Sequence, residues 1–284
     1  MSAGAASVRP LALSGRTRVW FLAAGVVVGL AALVPPFSTL SRRYEYAESL
    51  QFSMFAIVIP ALVAVGAPWR WTRLAARPGL GASGASAGPL DRLADGRRRH
   101  PELVRTLGFI VIDLLVVVAW RTPGAVRAVA GHGWLAPVEA VILTVFGLGL
   151  WLELVESPPL VARSGPLRRA VLAAIIMWVF WVDAYVVGLS NDDWYPNFHH
   201  MAGHGLSAAA DQQFAAVILW FVAGAAFVPI VFLNALRWLR SEEDSDAELY
   251  RLTKAELRRA PTPPPASGPR GDTPPRPDGH PLAG

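Results

Sequence analysis

The 284-residue sequence contains no cysteine, which excludes disulfide bonds, iron–sulfur clusters, thiolate zinc sites and cysteine nucleophiles. Charged residues are also scarce, at 17% of the chain, whereas 53% of the residues are hydrophobic. A typical soluble chain carries about 25% charged residues. The 11 tryptophans, 24 prolines and 25 glycines point the same way, because Trp gathers at membrane interfaces and Pro and Gly are common in membrane helices. The composition therefore indicates an integral membrane protein.

Common catalytic motifs are missing as well. The sequence has no Gly-rich phosphate-binding loop of either common pattern, and no Ser, His and Asp in a recognisable local arrangement. It also shows no convincing internal repeat. The function must therefore be sought in the organisation of the apolar segments and in the polar residues among them.

Six apolar runs are long enough to cross the roughly 30 Å hydrocarbon layer as helices. They lie near residues 17–34, 50–68, 104–120, 134–155, 167–189 and 213–236. Pro60 and Pro229 fall inside two of these runs, and a proline in lipid requires neighbouring helices to satisfy the freed carbonyls. The sequence thus predicts an all-α fold, a polytopic transmembrane helix bundle of about six spans.

The positions of Lys and Arg predict the orientation of this bundle. Three precede the first span, successive loops carry two, eight, two, three and none, and the tail carries eight. Alternate segments therefore hold 22 of the 26 cationic residues. By the positive-inside rule both termini and the long loop 69–103 face the cytoplasm, as expected for a multi-pass protein of the inner (cytoplasmic) membrane. The excess of basic over acidic residues is explained by this membrane topology. We therefore expect the lipid bilayer, and no nucleic acid, as a partner.

The segments outside the spans have distinct compositions. We assign residues 1–16 to a cytoplasmic N-terminus and residues 17–240 to the transmembrane bundle. The first span follows several arginines as a secretory signal would, but it lacks a small-x-small cleavage site, and we interpret it as a retained anchor. Residues 241–260 form a charged cytoplasmic segment of amphipathic helical character. Residues 261–284, with nine prolines, are predicted to be a disordered tail.

Candidate metal ligands concentrate in the last extracytoplasmic loop, within the sequence HHMAGH. They are His199, His200, Met201 and His204. Met54 on the second span lies on broadly the same helical side as Glu48 and Gln51 and is a further candidate. Imidazole and thioether groups without thiolate favour copper, as Cu(I), over magnesium or calcium. Zinc, bound through His and carboxylate, remains an alternative.

Acidic residues within or near the spans need an explanation, because a charge at the bilayer centre costs about 2.5 to 3.5 kcal/mol on insertion scales. Asp113, Glu139 and Asp183 are of this kind. One account is a hydrogen-bond network that locks the bundle, and the other is a path for cations or protons. The residues predicted to orient metal ligands or to conduct cations are Glu48, Gln51, Asp113, Glu139, Asp183, Asp211 and Gln212. The second account makes a small-cation or proton transporter or channel the alternative function.

Four segments carry a family resemblance. They are AESLQFSMFAIVIPALVAVGAPW, WRTP, GLGLWLELVESPPL and SAAADQQFAAVILW. Together they resemble the polytopic CtaG-type cytochrome c oxidase assembly proteins, from about residue 44 to 240. The most specific piece is Asp211-Gln212-Gln213 followed by an apolar span with Trp220. Phe52 follows Gln51, and Glu139 lies in the fourth span, in regions where the family commonly carries histidine.

The resemblance implies a factor that is not an enzyme and that is needed to form active haem-copper oxidase. Its partners would be the cytochrome c oxidase subunits, and its cargo would be copper, supplied from the extracytoplasmic side. This hypothesis requires that Met54, Glu139, Asp183 and the histidine loop approach one another at the outer ends of their helices.

Overall fold

The computed structural model describes residues 13–70, 94–96, 103–160, 162, 164–190, 192–199 and 205–259. The described residues are 84% helical, and none of them lies in a β-strand. The all-α prediction is therefore confirmed. The chain divides into two compact units, Met1–Ser241 and Glu242–Gly284.

The helices are numbered in chain order. Their bounds are α1 (Gly15–Leu33), α2 (Phe37–Leu40), α3 (Glu45–Ser53), α4 (Ile59–Gly66), α5 (Leu103–Trp120), α6 (Pro123–Gly131), α7 (Leu135–Leu154), α8 (Pro166–Leu189), α9 (Pro196–His199) and α10 (Ala208–Arg259). A π-helical segment, Met54–Val58, joins α3 to α4, and a 3-10 turn at Pro68–Arg70 follows α4.

The number of spans agrees with the sequence. Five helical segments of the described chain are long and apolar enough to cross a membrane, and α5 with α6 forms a sixth candidate that is bent by 64°. The last helix differs from the predicted span 213–236, since α10 continues to Arg259. It thereby includes nearly all of the charged segment 241–260, whereas the tail 261–284 and residues 1–12 lie outside the described residues.

The bend between α5 and α6 follows from a local sequence signal. Thr122 has an extended backbone and accepts a hydrogen bond from the N–H of Ala125 through its side chain, at 3.4 Å. Pro123 comes next, at a helix position where its missing N–H is tolerated. This start signal ends α5 and begins α6 in a new direction, which leaves Arg121 in the break.

Pro60 is accommodated by the π-helical segment that precedes it. Because Pro60 has no N–H, the normal helical hydrogen bond is missing at this position. The backbone widens instead, and the N–H of Ile59 donates to the carbonyl of Met54. Thr144 of α7 donates its hydroxyl to the carbonyl of Phe55 at 3.5 Å. A neighbouring helix thus supplies a hydrogen bond where the helix itself does not, as expected for a proline in lipid.

A glycine allows α7 to pack closely against this irregular segment. A Cβ atom added at Gly147 would lie 2.7 Å from the carbonyl oxygen of Ala56 and 2.8 Å from Cγ of Pro60. These distances are shorter than any ordinary carbon contact. Small residues at helix interfaces are a general feature of membrane bundles, because they let the backbones approach.

Aromatic and aliphatic side chains fill the bundle interior. Trp151 of α7 stacks on Phe227 of α10 with ring centroids 5.2 Å apart, and Phe180 of α8 adjoins the same ring at 6.2 Å. The outward faces are also apolar, since Val141 is 62% exposed and Phe221 is 64% exposed. An apolar exterior around an apolar interior is the pattern of a bundle solvated by lipid.

The helix ends that the charge pattern assigns to the cytoplasm are joined by buried hydrogen bonds. Arg18 of α1 is 5% exposed and donates to the carbonyl of Val65 at 2.8 Å. Thr106 of α5 donates to the fully buried Glu153 of α7 at 3.1 Å. These bonds close the bundle at the end away from the predicted site.

We predict that Gly147→Ala destabilises the bundle, because the added methyl group overlaps the carbonyl of Ala56. Overpacking of this kind costs about 1–3 kcal/mol. The melting temperature of the purified protein in detergent should therefore fall by several degrees. Gly149→Ala is the matched control, since its Cβ would meet nothing closer than Phe109 at 3.8 Å. Equal melting temperatures for the two variants would contradict the close approach.

The predicted orientation is tested with single cysteines, which have no background in a chain without native cysteine. Asp192 and Thr253 are both exposed and lie in segments assigned to opposite sides. In spheroplasts, a membrane-impermeant maleimide should label Asp192→Cys directly and Thr253→Cys only after the membrane is permeabilised. The reverse pattern would overturn the assigned orientation.

Candidate functional site

A buried arginine organises one end of the bundle. Arg121 is 5% exposed and lies in the break between α5 and α6. Its Nη1 donates to Oε2 of Glu48 at 2.8 Å and to the hydroxyl of Ser49 at 3.3 Å. Its Nε lies 3.4 Å from Oδ2 of Asp183, an ion-pair distance. One guanidinium therefore joins α3, the α5–α6 break and α8.

Two aromatic rings complete the environment of this guanidinium. Its carbon lies 5.3 Å from the ring centroid of Phe52 and 5.1 Å from that of Tyr195, both within cation–π range. The hydroxyl of Tyr195 donates to the backbone carbonyl of Arg121 at 2.8 Å. Burial raises the pKa of the Tyr195 phenol, so it stays protonated and keeps this hydrogen bond.

Asp211 caps a helix other than its own. Its two carboxylate oxygens accept hydrogen bonds from the backbone N–H groups of Glu45 at 2.9 Å and Tyr46 at 3.0 Å. These N–H groups belong to the first turn of α3, which has no partner for them within the helix. A negative charge at this position also complements the helix dipole. The start of α10 is thereby fixed to the start of α3.

Gln212 fixes the loop that follows α8. Its Nε2 donates to the carbonyls of Val187 at 2.7 Å and Asp192 at 3.2 Å. Its Oε1 accepts the backbone N–H of Trp194 at 3.2 Å. The Asp211–Gln212 pair is the most specific part of the family resemblance. Asp211 binds backbone groups at the start of α3, and Gln212 binds backbone groups at the end of α8 and after it.

A pocket of about 260 Å³ lies beside this network. Glu48, Gln51 and Phe198 contribute to its wall, together with residues from α2, α6 and α7. Gln51 is 7% exposed, and its Nε2 donates to the carbonyl of Ala32 at 2.6 Å. Phe198 directly precedes His199, the last residue of α9. The chain therefore enters the histidine-rich sequence from the wall of this pocket.

The structure tests little of the predicted ligand set itself. His200, Met201 and His204 lie outside the described residues, and His199 is described by its backbone alone. Met54 begins the π-helical segment, packs against the main apolar core and is not part of the pocket wall. Among the residues that the structure describes, no group of three His, Asp or Glu side chains is placed to hold a metal ion. The metal site remains a prediction.

The predicted acids fall into two groups. Glu48 and Asp183 meet at Arg121, and the buried Glu139 of α7 is within electrostatic reach of Glu48 and Arg121. Asp113, 3% exposed, lies eight residues before Arg121, which is about 12 Å along a helix axis. Within the described chain Asp113 has no hydrogen-bond or ion-pair partner. It is not part of the network around Arg121.

Arg121 and Tyr195 were not among the functional candidates predicted from the sequence. Arg121 was counted only as one of the few cations in the outer loops. A signal was available, because Glu48 and Asp183 are acids near the same predicted membrane face with few cations to balance them. Tyr195 carries no comparable signal, since a single aromatic residue in a loop is common.

Comparison with known proteins agrees with the resemblance seen in the sequence. Residues 3–241 match the model of the family described as cytochrome c oxidase caa3 assembly factor (Caa3_CtaG). The match includes every helix that contributes to the Arg121 network. No curated protein and no solved structure matches the chain.

We predict that Arg121→Met strongly destabilises the protein, because it leaves the buried Glu48 and the partly exposed Asp183 without a counter-charge. Breaking a buried pair in this way costs about 3–5 kcal/mol. Thermal unfolding in detergent should show a large loss for this variant and little change for Arg127→Met, the exposed arginine of the same loop region.

A combined variant separates lost charge balance from lost packing. Adding Glu48→Gln and Asp183→Asn to Arg121→Met should restore much of the stability, since no unpaired charge then remains. A triple variant as unstable as Arg121→Met alone would show that the ion pairs are not the cause.

Proposed function

Because this chain belongs to the cytochrome c oxidase caa3 assembly factor family, we propose that it helps to deliver copper to the oxidase from the extracytoplasmic side. Family membership supports the role in oxidase assembly, and the membrane-spanning helices place that role in the bilayer. In this proposal the protein binds copper as a cargo and transfers it. The oxidase subunits are the receiving partners.

The observation that carries the copper proposal is the position of Phe198. Its side chain lines the same pocket as Glu48 and Gln51, and the next residues in the chain are His199 and His200. The histidine-rich sequence thus begins at a pocket with Glu48 and Gln51 in its wall. The imidazoles and the thioether of Met201 have the donor chemistry that copper prefers.

The Arg121 network has a positioning role in this proposal. Tyr195 lies three residues before Phe198, and its hydroxyl donates a hydrogen bond to the backbone carbonyl of Arg121. Gln212 holds Asp192 and Trp194 from the other side. The point at which the chain reaches His199 is therefore fixed to α3, α8 and α10 by buried hydrogen bonds. Such support fixes where metal ligands begin without itself binding the metal.

Charge also supports a cation as the cargo. The loop between α8 and α10 contains no Lys or Arg, whereas it carries Asp192 and Asp193. A surface of one sign raises the local concentration of counter-ions. The excess of acids on this loop therefore favours the approach of a copper ion over that of an anion.

The transport alternative has less support from the geometry. Glu48 and Asp183 are ion-paired with Arg121, which accounts for their presence in the bundle without ion movement. Asp113 lies about two helical turns away from this group. The described residues show no chain of acids that connects Asp113 to the pocket.

The copper proposal is tested with the combined variant His199→Ala, His200→Ala, His204→Ala in a strain that lacks the native gene. We expect normal amounts of the variant in the membrane, together with lower oxidase activity and less copper per purified oxidase. The physical reason is the loss of the imidazole donors. His132→Ala, an exposed histidine before α7, is the control and should behave like the wild type.

Two further outcomes separate the parts of the proposal. If oxidase activity falls while copper per oxidase is unchanged, the chain assists assembly in another way and the copper role is wrong. If deletion of the gene leaves oxidase activity and copper unchanged, both parts fail for this chain.

A further inference from the structure

We propose that the bundle binds one anionic phospholipid of the phosphatidylglycerol type, with its phosphate at Arg42 and an acyl chain in a groove between α1 and α7. This site uses the pocket beside Glu48 together with a second cavity. It does not depend on the copper proposal.

The second cavity is an apolar groove of about 310 Å³. Its wall comes from α1, the π-helical segment, α4 and α7, and Thr144 is its only polar side chain. Val141 and Val145 on its rim are 62% and 59% exposed, so the groove opens sideways to the surroundings of the bundle. In a membrane those surroundings are lipid, and the occupant that fits the lining is a hydrocarbon chain.

The groove and the pocket adjoin each other. Leu33 of α1 and Pro137 of α7 belong to the walls of both. From these two residues the groove follows α1 back to Gly29 and α7 onward to Val145. The eight residues from Pro137 to Val145 span about 12 Å of helix. A chain that enters at the pocket therefore runs into the bilayer core, in the direction of an outer-leaflet acyl chain under the predicted orientation.

The pocket offers an uncompensated cation for the head group. Arg42 lines the pocket, and within the described chain no carboxylate lies at ion-pair distance from it. A Cβ added at Gly133 would lie 2.9 Å from Nη2 of Arg42, so the absence of a side chain at Gly133 makes room for the guanidinium. Ser38 also lines the pocket. A guanidinium suits a phosphate.

Acceptors on the same wall favour a head group with hydroxyls. The Nε2 of Gln51 is engaged with Ala32, and no donor among the described residues reaches its Oε1. Arg121 donates to only one oxygen of Glu48, Oε2. A glycerol head donates hydrogen bonds to such acceptors, whereas choline has no donor to offer. The pocket thus fits phosphatidylglycerol better than phosphatidylcholine.

The experiment measures lipid retained by the full-length protein. The chain is reconstituted in nanodiscs of equal parts dioleoyl-phosphatidylglycerol and dioleoyl-phosphatidylcholine, released, and examined by native mass spectrometry. We expect about one retained phosphatidylglycerol per chain. Arg42→Gln should lower its preference over phosphatidylcholine roughly tenfold, the size of one charge-assisted interaction. Arg43→Gln, an exposed neighbour outside the pocket, is the matched control.

A second pair of variants tests the groove. Gly29→Leu places a side chain into the groove, and Gly108→Leu adds the same bulk on α5 where a Cβ meets nothing within 4 Å. Only Gly29→Leu should reduce the retained lipid. Melting temperatures of both variants show whether the fold is intact. The comparison of Arg42→Gln with Arg43→Gln tests the proposal even if a glycine variant does not fold.

Three results would overturn the proposal. The first is equal retention of the two lipids by the wild type. The second is equal loss of phosphatidylglycerol in Arg42→Gln and Arg43→Gln. The third is displacement of the lipid by millimolar glycerol 3-phosphate, which would show that the pocket binds a free phosphate and that the groove contributes nothing.

Discussion

The ion pairs of Arg121 are the constraint on which the polar end of the bundle depends. A charge in a membrane bundle is costly without a partner, and Glu48, Arg121 and Asp183 come from three different parts of the chain. Glu48 and Asp183 approach the same guanidinium at 2.8 and 3.4 Å. The guanidinium pairs with both carboxylates only when α3, the α5–α6 break and α8 come together. Apolar side chains alone select only weakly between helix partners in a membrane, because the lipid tails are as apolar as the side chains. The ion pairs therefore specify which helix ends meet.

The same constraint reaches the loops through backbone hydrogen bonds. Tyr195 packs over the guanidinium and bonds to the carbonyl of Arg121. Asp211 caps α3 next to Glu48, and Gln212 holds the carbonyls that follow α8. A buried polar network of this kind stabilises the fold when every donor and acceptor has a partner. It destabilises the fold when one partner is lost, since no water is present to replace the missing hydrogen bond. Through these bonds the network holds Asp192, Trp194 and Tyr195 in the segment that follows α8.

The sequence predicted the parts of the structure that depend on local properties. Run length identified the spans, and the acids in apolar runs made Asp183 a candidate for a buried network, whereas Glu48 was predicted as a residue that orients metal ligands or conducts cations. Arg121 was missed because an arginine at the end of a span looks like a topology signal until its partners are known. The π-helical segment before Pro60 depends on Thr144 and Gly147 of another helix, which no local pattern reveals. The extension of α10 runs through the segment 241–260, for which the sequence predicts amphipathic helical character, and neither Pro nor Gly occurs between residues 230 and 260 to end the helix.

Under the copper proposal, the frame and the metal ligands belong to different parts of the chain. A structural metal site encloses its ion with a full set of donors held by packed elements. The packed elements of this bundle place Glu48 and Gln51 in the wall of the pocket, while the proposed soft donors follow Phe198 in the chain. A copper carrier must release its ion to the oxidase, and the proposal therefore assigns positioning to the packed helices and transfer to the residues that follow them.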